Sequence, residues 1–264
     1  MTSPLGMYVS RAFPSYISLK NVSKIFKTKG GAVEALRDVN IDIGENEFVS
    51  IVGPSGCGKT TILKIIAGLI QPTTGEVYVR GEKVVNPIRN VGMVFQSPVL
   101  LRWRTVLKNI ILPIEIKKLN EKYYLEKARY LIELTGLKGF EDKYPHELSG
   151  GMQQRVSICR ALITDPDVLL MDEPFGALDA LTRDQLNREL INIWQHQRKT
   201  VVFVTHSVNE AVYLSDKIYV MSPRPGTIIE EVKVDIPRHR NRGDPKFVTL
   251  AERILKLLGV ESDA

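Results

Sequence analysis

The sequence predicts an α/β fold with a helical subdomain inserted into it. Alternating apolar and polar residues at 17–25 and 35–43 are typical of half-buried antiparallel strands. Short, nearly continuous apolar runs, typical of buried strands, occur at 47–52, 168–171 and 201–205. Helical periodicity follows the first of these runs at 60–69, and from about 97 to 160 the pattern becomes mainly helical. Strands and helices that alternate around a helical insert indicate one α/β domain.

The remaining elements follow from the same patterns. Helices are expected at 121–134, at 152–163 after a Ser-Gly-Gly turn, and at 184–198. Further strands are expected at 75–80, at 91–95 and near Tyr219. After a turn-rich segment at 222–226, the C-terminal part is expected to hold a short helix at 247–258 and a basic patch. The members of the basic patch are Arg238, Arg240, Arg242 and Lys246.

Composition excludes several classes of protein. With 44% hydrophobic residues and a net charge of +6, the 264-residue chain is not intrinsically disordered. No apolar run approaches the roughly 18 residues that a membrane-spanning helix needs, and the first fifteen residues do not resemble a secretory signal. Cys57 and Cys159 show neither metal-ligand spacing nor a disulfide framework, which favours a reducing, cytoplasmic setting. The pI of about 9.2 leaves nucleic acid, an anionic membrane surface or an anionic ligand open as partners.

A glycine-rich motif follows the strand at 47–52 and opens the helix at 60–69. It matches G-x-x-x-x-G-K-[ST] with Gly53, Pro54, Ser55, Gly56, Cys57, Gly58, Lys59 and Thr60. The glycines allow the loop to curl so that backbone N–H groups point at phosphate oxygens, and the helix dipole adds to this attraction. Lys59 is expected to reach the β- and γ-phosphates of a nucleotide, and Thr60 to ligate Mg²⁺. Thr61 completes the predicted phosphate site.

A second motif supplies the metal contact that such a loop needs. The apolar run at 168–171 ends in Asp172 and Glu173, which places both carboxylates at the carboxyl end of a buried strand. Asp172 is expected to hold Mg²⁺, directly or through water. Glu173 is a candidate general base for the water that attacks the γ-phosphate.

The Ser-Gly-Gly turn forms a second predicted anion site. Ser149 offers a hydroxyl, and Gly150 and Gly151 offer backbone amides at a helix N-terminus. Residues 148–155 around this turn resemble the LSGGQ-type signature of ATP-binding-cassette (ABC) ATPases, although Met152 stands where glutamine is common. In that family the turn closes on the γ-phosphate held by a second subunit, so that ATP lies between two domains.

The resemblance implies an overall organisation. It covers residues 16–235 as one ABC ATPase domain, with a P-loop NTPase core, an antiparallel β lobe near the adenine and the helical subdomain at about 97–160. Residues 236–264 are then a short basic C-terminal tail with a helix. ATP and Mg²⁺ are the cofactors that the resemblance implies.

It also implies roles for residues outside the phosphate motifs. Gln96 lies at the Q-loop position, where it contacts Mg²⁺ or the attacking water and senses the membrane partner. Asp179 lies in the D-loop and acts across the dimer. His206 matches the switch histidine that contacts the γ-phosphate. Phe26 is expected to stack on adenine, with Tyr16 as the alternative.

Segments 171–183, 205–216 and 221–226 resemble the ATPases of nitrate, sulfonate and taurine importers. The resemblance implies a separate ATPase subunit at the cytoplasmic face of the cell membrane. Its partners would be a second ATPase subunit in a homodimer, integral-membrane permease subunits and, indirectly, an extracytoplasmic substrate-binding protein, with no nucleic acid. Residues 100–106 would help to form the groove for the permease; alternatively, Leu100 and Leu101 pack in the core, and Arg102 and Arg104 are solvated.

Three alternatives stay open. The first is the ATPase of an ABC exporter. The second is a soluble ABC ATPase that acts on nucleic acid or ribosomes, which the basic pI favours. The third is a nucleotide-gated binding module that switches without turnover, which phosphate release would exclude.

Overall fold

The computed structural model describes residues 15–28 and 30–260, which form two sheets and seven α-helices. The strands are β1 (Ile17–Thr28), β2 (Gly31–Ile43), β3 (Phe48–Val52), β4 (Thr74–Val79), β5 (Glu82–Lys83), β6 (Val91–Val94), β7 (Val168–Asp172), β8 (Thr200–Thr205), β9 (Lys217–Met221) and β10 (Ile228–Lys233). The helices are α1 (Lys59–Ile66), α2 (Val106–Ile116), α3 (Glu121–Leu134), α4 (Gly150–Leu162), α5 (Ala180–Gln197), α6 (Val208–Leu214) and α7 (Pro245–Leu257). The expectation about a secretory signal falls largely on residues 1–14, which lie outside the described residues.

The core sheet carries the strand order β10-β9-β3-β8-β7-β6. Strands β9 to β6 are parallel, and β10 pairs with β9 in the antiparallel direction. Every residue of β3, β7 and β8 is buried, as expected for parallel strands covered on both faces. Because parallel strands end at the same edge, the segments that follow β3, β6, β7 and β8 meet there. The α/β fold expected from the sequence is confirmed.

The second sheet is antiparallel, with the order β2-β1-β4-β5. Its inner face packs on helix α1 and the core sheet, where Leu19, Leu36 and Ile62 are buried together. The Tyr219 hydroxyl, on β9, donates to the Asp42 carbonyl oxygen at 2.7 Å and ties the two sheets. This sheet is the expected antiparallel lobe, and it brings β1 and β2 against the glycine-rich loop.

Helices α2, α3 and α4 lie between β6 and β7 in the chain and pack on one another. The α2 helix was not expected, because its residues are apolar on most faces and it contains Pro113. Buried Asn109 fixes the segment before it, since its side chain bonds both backbone groups of Leu101 and the carbonyl oxygen of Arg104. No helix in the described part of the chain is long and apolar enough to cross a membrane.

The expectation of a C-terminal basic patch is wrong for two of its members. Arg240 is only 6% exposed and donates to the carbonyl oxygens of Val212 and Ser215, at the end of α6. Its burial lowers the pKa of the guanidinium to about 10. Arg238 pairs with Asp216 at 2.5 Å. These arginines therefore hold the C-terminal segment on the core, and the sequence could not show the carbonyl groups that they satisfy.

Candidate active site

The glycine-rich loop between β3 and α1 is held in a shape that only glycine permits at two positions. Gly58, before α1, has φ +109°, and a Cβ there would stand 2.5 Å from the Leu36 side chain. A Cβ on Gly53 would stand 2.9 Å from the Cys57 sulfur. Ser55 and Gly56 at the crest are exposed. The loop thus sits between β2 and the core sheet, with its crest open to a ligand.

Lys59 is buried at the base of this loop, where it is 4% exposed. Its ammonium group donates to the carbonyl oxygens of Gly53 and Pro54 at 2.8 and 3.0 Å. It also lies 3.4 Å from the Glu173 carboxylate. The structure therefore joins the loop lysine to the candidate base, although 114 positions separate them in the numbering of the sequence.

Thr60 and Asp172 meet as the sequence predicts. The Thr60 hydroxyl donates to the Asp172 carboxylate at 2.9 Å. Burial raises the pKa of Asp172 above its ordinary value, and the negative charge of Glu173 adds to the rise. The Thr60 hydroxyl and the Asp172 carboxylate both offer hard oxygen ligands, and burial makes the negative charge of the carboxylate costly. This arrangement favours a small cation.

Glu173 lies one residue beyond the end of β7, with φ +43°, a value uncommon for a residue other than glycine. Its N–H donates to the Val204 carbonyl oxygen at 2.9 Å, which anchors it to the neighbouring strand β8. Its carboxylate lies 2.9 Å from Nδ1 of His206, which follows β8. Strained backbone of this kind is typical of functional residues. Glu173 is thus held between Lys59 on one side and His206 on the other.

Gln96, after β6, comes to the same edge. Its side-chain nitrogen lies 3.6 Å from the point that a Cβ on Gly176 would occupy, and the Glu173 carboxylate lies 3.8 Å from that point. The buried Gln154, on α4, donates to the carbonyl oxygen of Phe95 at 3.2 Å. The residue before Gln96 is thereby connected to the helical subdomain.

A cavity of about 230 Å³ lies beside the loop. Phe26 is 37% exposed in it and stands with Lys59 and Thr61 among the lining residues. Tyr16, the alternative aromatic, instead packs against the buried cluster beneath the antiparallel sheet. The structure therefore places Phe26, and not Tyr16, where a base could stack.

The Ser-Gly-Gly turn lies apart from this cavity. Ser149 caps α4 by accepting from the Met152 N–H at 3.3 Å, and it is exposed together with Gly150. A Cβ on Gly151 would stand 2.6 Å from a Thr182 methyl group, so the turn packs closely on the start of α5. None of the three turn residues lines the cavity.

Asp179 belongs to the same surface as the turn. It caps α5 by accepting from the Thr182 N–H at 3.0 Å and the Thr182 hydroxyl at 2.7 Å. These bonds, the backbone bond first, lower the pKa of Asp179. The structure thus gathers the predicted site residues into two groups, one around the loop and one around the turn.

Sequence reasoning missed an ion pair that joins the two groups. Glu210 is 4% exposed, accepts from the Thr205 hydroxyl at 2.5 Å and lies 3.5 Å from Nε of Arg183. Arg183 in turn donates to the Leu178 carbonyl oxygen at 2.9 Å. Burial raises the pKa of Glu210. The segment of His206 is thereby linked to the segment of Asp179, and only the tertiary packing of α5 on α6 shows it.

A second cavity, of about 420 Å³, lies between β6, α2 and α4. Its lining is mostly apolar and includes Phe95, Val99 and Ile116, which are 38%, 59% and 71% exposed. Nearby, Leu100 packs on the helical core and Trp103 is 74% exposed. Of the segment at 100–106, Arg102 is exposed, whereas Arg104 pairs with Glu115 at 2.6 Å.

Comparison with known proteins identifies relatives along most of the chain. A family model described as ABC transporter matches residues 36–176. An uncharacterised ABC transporter ATP-binding protein of Methanocaldococcus jannaschii is 51% identical, over 92% of this chain and 91% of the relative. An aliphatic sulfonates import ATP-binding protein of Bacillus cereus is 43% identical, over 91% of this chain and 94% of the relative. The dimeric structure of an ATP-binding cassette, described as a post-hydrolysis state bound to ADP and Pi, is similar with a TM-score of 0.74 and 36% identity, over 84% of this chain and 100% of that one.

Proposed function

Because the chain belongs to the ABC transporter family, we propose that it is the ATP-hydrolysing subunit of an importer for a small anion such as nitrate, a sulfonate or taurine. The observation that carries the proposal is the meeting of Lys59, Glu173 and His206 at one edge of the parallel sheet, beside an anion-binding loop. The import role is supported by the similarity to a sulfonate import protein.

Glu173 is the general base of the reaction. Its carboxylate accepts a proton from the water that attacks the γ-phosphorus, while the bond from that phosphorus to the bridging oxygen breaks and ADP leaves. Lys59 donates to phosphate oxygens whose negative charge grows in the transition state. His206, 2.9 Å from the Glu173 carboxylate, orients the base. Gln96 lies beside Gly176, as that carboxylate does, and helps to position the water.

Thr60 and Asp172 are the residues that would hold Mg²⁺, with Gln96 nearby. No group of three or more His, Cys, Asp or Glu among the described residues could hold a metal by itself. Phosphate oxygens would therefore complete the ligand set, as is usual for this cation. When bound, Mg²⁺ neutralises negative charge on the β- and γ-phosphates.

The turn at Ser149, Gly150 and Gly151 serves a second copy of the chain. It presents a capped helix N-terminus to solvent, away from the cavity of its own loop. In a symmetric dimer the turn of one copy would face the phosphates held by the other, and Asp179 would lie at the same interface. The related cassette, described as dimeric, supports this arrangement.

The apolar cavity beside Phe95 and Ile116 is the proposed docking site for the membrane permease. A row of exposed apolar side chains is expected at a protein interface. Phe95, which lines this cavity, directly precedes Gln96. Docking of the permease there would therefore shift the position of Gln96 in the active site through the end of β6. The chain would then work at the cytoplasmic face of the membrane, with a substrate-binding protein on the opposite side delivering the anion.

Phosphate release at saturating Mg·ATP tests the catalytic part of the proposal. Wild type is expected to turn over, Glu173→Gln is expected to bind ATP without turnover, and exposed Glu252→Gln on α7 is the matched control. Turnover by Glu173→Gln at the wild-type rate would show that another group is the base. A wild-type chain that binds ATP but releases no phosphate would favour a binding module.

Transport by the reconstituted complex tests the direction. The chain would be co-purified with its permease and placed in vesicles with the ATPase side outward. The labelled anion and its binding protein would be enclosed in the lumen, and ATP would be added outside. Loss of anion from the lumen, dependent on the binding protein, supports import. Outward transport of lipid or drug relative to the cell would instead identify an exporter, and co-purified ribosomes or nucleic acid without a permease would identify a soluble ATPase.

A further inference from the structure

The loop after β9, Ser222-Pro-Arg-Pro-Gly226, contacts the glycine-rich loop at Gly56 and Cys57. The Gly226 N–H donates to the Ala35 carbonyl oxygen, and its own carbonyl oxygen accepts from the Arg37 N–H, both at 3.0 Å. Its backbone therefore continues the pairing of β2. A Cβ on Gly226 would stand 2.0 Å from the Cys57 carbonyl oxygen, which leaves no room for another residue.

The conformation of this loop is fixed from within as well. The Ser222 hydroxyl donates its one proton to the carbonyl oxygen of Pro223 or that of Pro225, which lie at 2.9 and 3.2 Å, and accepts from the Thr227 N–H at 3.0 Å. Because β2 lies on one side of this loop and the glycine-rich loop on the other, the backbone position of the residue at its tip is fixed. That residue is Arg224.

Arg224 projects over the crest of the glycine-rich loop. Nε and Nη2 donate to the Gly56 carbonyl oxygen at 3.1 and 2.9 Å. Nη1 has no partner among the described residues, and the side chain is exposed. Arg224 lines the same cavity as Phe26, Lys59 and Glu173. Two positively charged side chains thus line the cavity, Lys59 at the base of the loop and Arg224 at its crest.

We infer that Arg224 is a nucleotide-binding residue that contacts the phosphate chain of ATP from the crest of the loop. Its bond to Gly56 turns that carbonyl group toward the guanidinium, and the remaining Nη1 hydrogens are free for a phosphate oxygen. A guanidinium binds an anion through a fixed set of donors, and a lysine ammonium offers only a point charge. Arg224 therefore adds to ground-state affinity, whereas Lys59 also acts in the transition state.

The test uses the purified full chain with Arg224→Gln and Arg224→Lys. Exposed Arg129→Gln, on α3, is the control for loss of one positive charge. Dissociation constants are measured for ATP and for inorganic pyrophosphate, which lacks base and ribose, together with KM, kcat and the melting temperature. We expect Arg224→Gln to weaken both ligands about tenfold, as for loss of one charged hydrogen bond, with kcat and melting temperature retained. Arg224→Lys is expected to recover part of the affinity.

Two outcomes would overturn this inference. Affinities equal to those of Arg129→Gln would show that Arg224 does not bind the nucleotide. A fall in kcat or melting temperature with unchanged affinities would show that it only braces the loop. Lys59→Ala separates this inference from the site itself, because unchanged affinity in that variant would mean that the nucleotide binds elsewhere.

Discussion

The glycine-rich loop and the Ser-Gly-Gly turn both present a helix N-terminus, yet they have very different surroundings. Within one chain, the loop carries the buried Lys59, which lies beside the candidate base Glu173, and Glu173 in turn contacts His206. In the turn, Ser149 and Gly150 are exposed, whereas Gly151 packs against Thr182 at the start of α5. This difference agrees with the proposal that one chain holds the loop site and contributes its turn to a second copy.

We expect the largest loss of phosphate release from a substitution at the loop site. Glu173→Gln removes the proposed general base, so phosphate release is expected to fall about 10²–10⁴-fold, while ATP is expected to bind and a closed dimer to accumulate. Rate measurements with size-exclusion chromatography in ATP check both parts. A dimer that does not accumulate would mean that hydrolysis is not what reopens it.

A charge at the turn is expected to separate stability from activity. A Cβ on Gly150 meets only a Leu178 methyl group at 3.6 Å, so Gly150→Asp fits without a clash. A carboxylate at this helix N-terminus adds about 0.3–1 kcal/mol of stability, yet it repels the phosphate that the turn is meant to meet. Phosphate release should fall at least about tenfold, with monomer affinity for ATP unchanged. Loss of that affinity instead would place the turn in the site of its own chain.

The adenine end of the loop site should respond more weakly. Phe26→Ala is expected to raise the dissociation constant of ATP about 5- to 150-fold, because base stacking on an aromatic ring contributes about 1–3 kcal/mol. Inorganic pyrophosphate should bind as before. Since Phe26 is already 37% exposed, the melting temperature should change little. Equal weakening of pyrophosphate would mean that Phe26 supports the loop and does not stack.

The smallest effect is expected where the two regions join. Glu210→Gln keeps the Thr205 contact but removes the charge that faces Arg183. The expected loss is about 1–3 kcal/mol in the free energy of unfolding, measured by urea denaturation, with a modest fall in kcat through His206. Exposed Glu126→Gln is the control. If kcat falls as far as in Glu173→Gln, Glu210 acts in the chemistry itself.

Much of the loop site could be predicted because its residues follow buried strands. Asp172 and His206 come directly after such runs, Lys59 follows one across the glycine-rich loop, and parallel strands bring those ends together. Arg224 and Glu210 could not be assigned in this way, because their partners come from distant segments. Arg240 was misjudged for a related reason, since its burial depends on carbonyl groups that leave no trace in the sequence.

In the proposed dimer, each complete site combines the loop of one copy with the turn of another. Lys59→Ala and Gly150→Asp chains, each expected to release phosphate far more slowly than wild type when alone, would be mixed and assayed for phosphate release. A mixed dimer built across copies holds one intact loop facing one intact turn, so mixing should restore about a quarter of wild-type activity if half the dimers are mixed. No restored activity, with mixed dimers demonstrated by mass spectrometry, would contradict the claim and place both motifs in one chain's site.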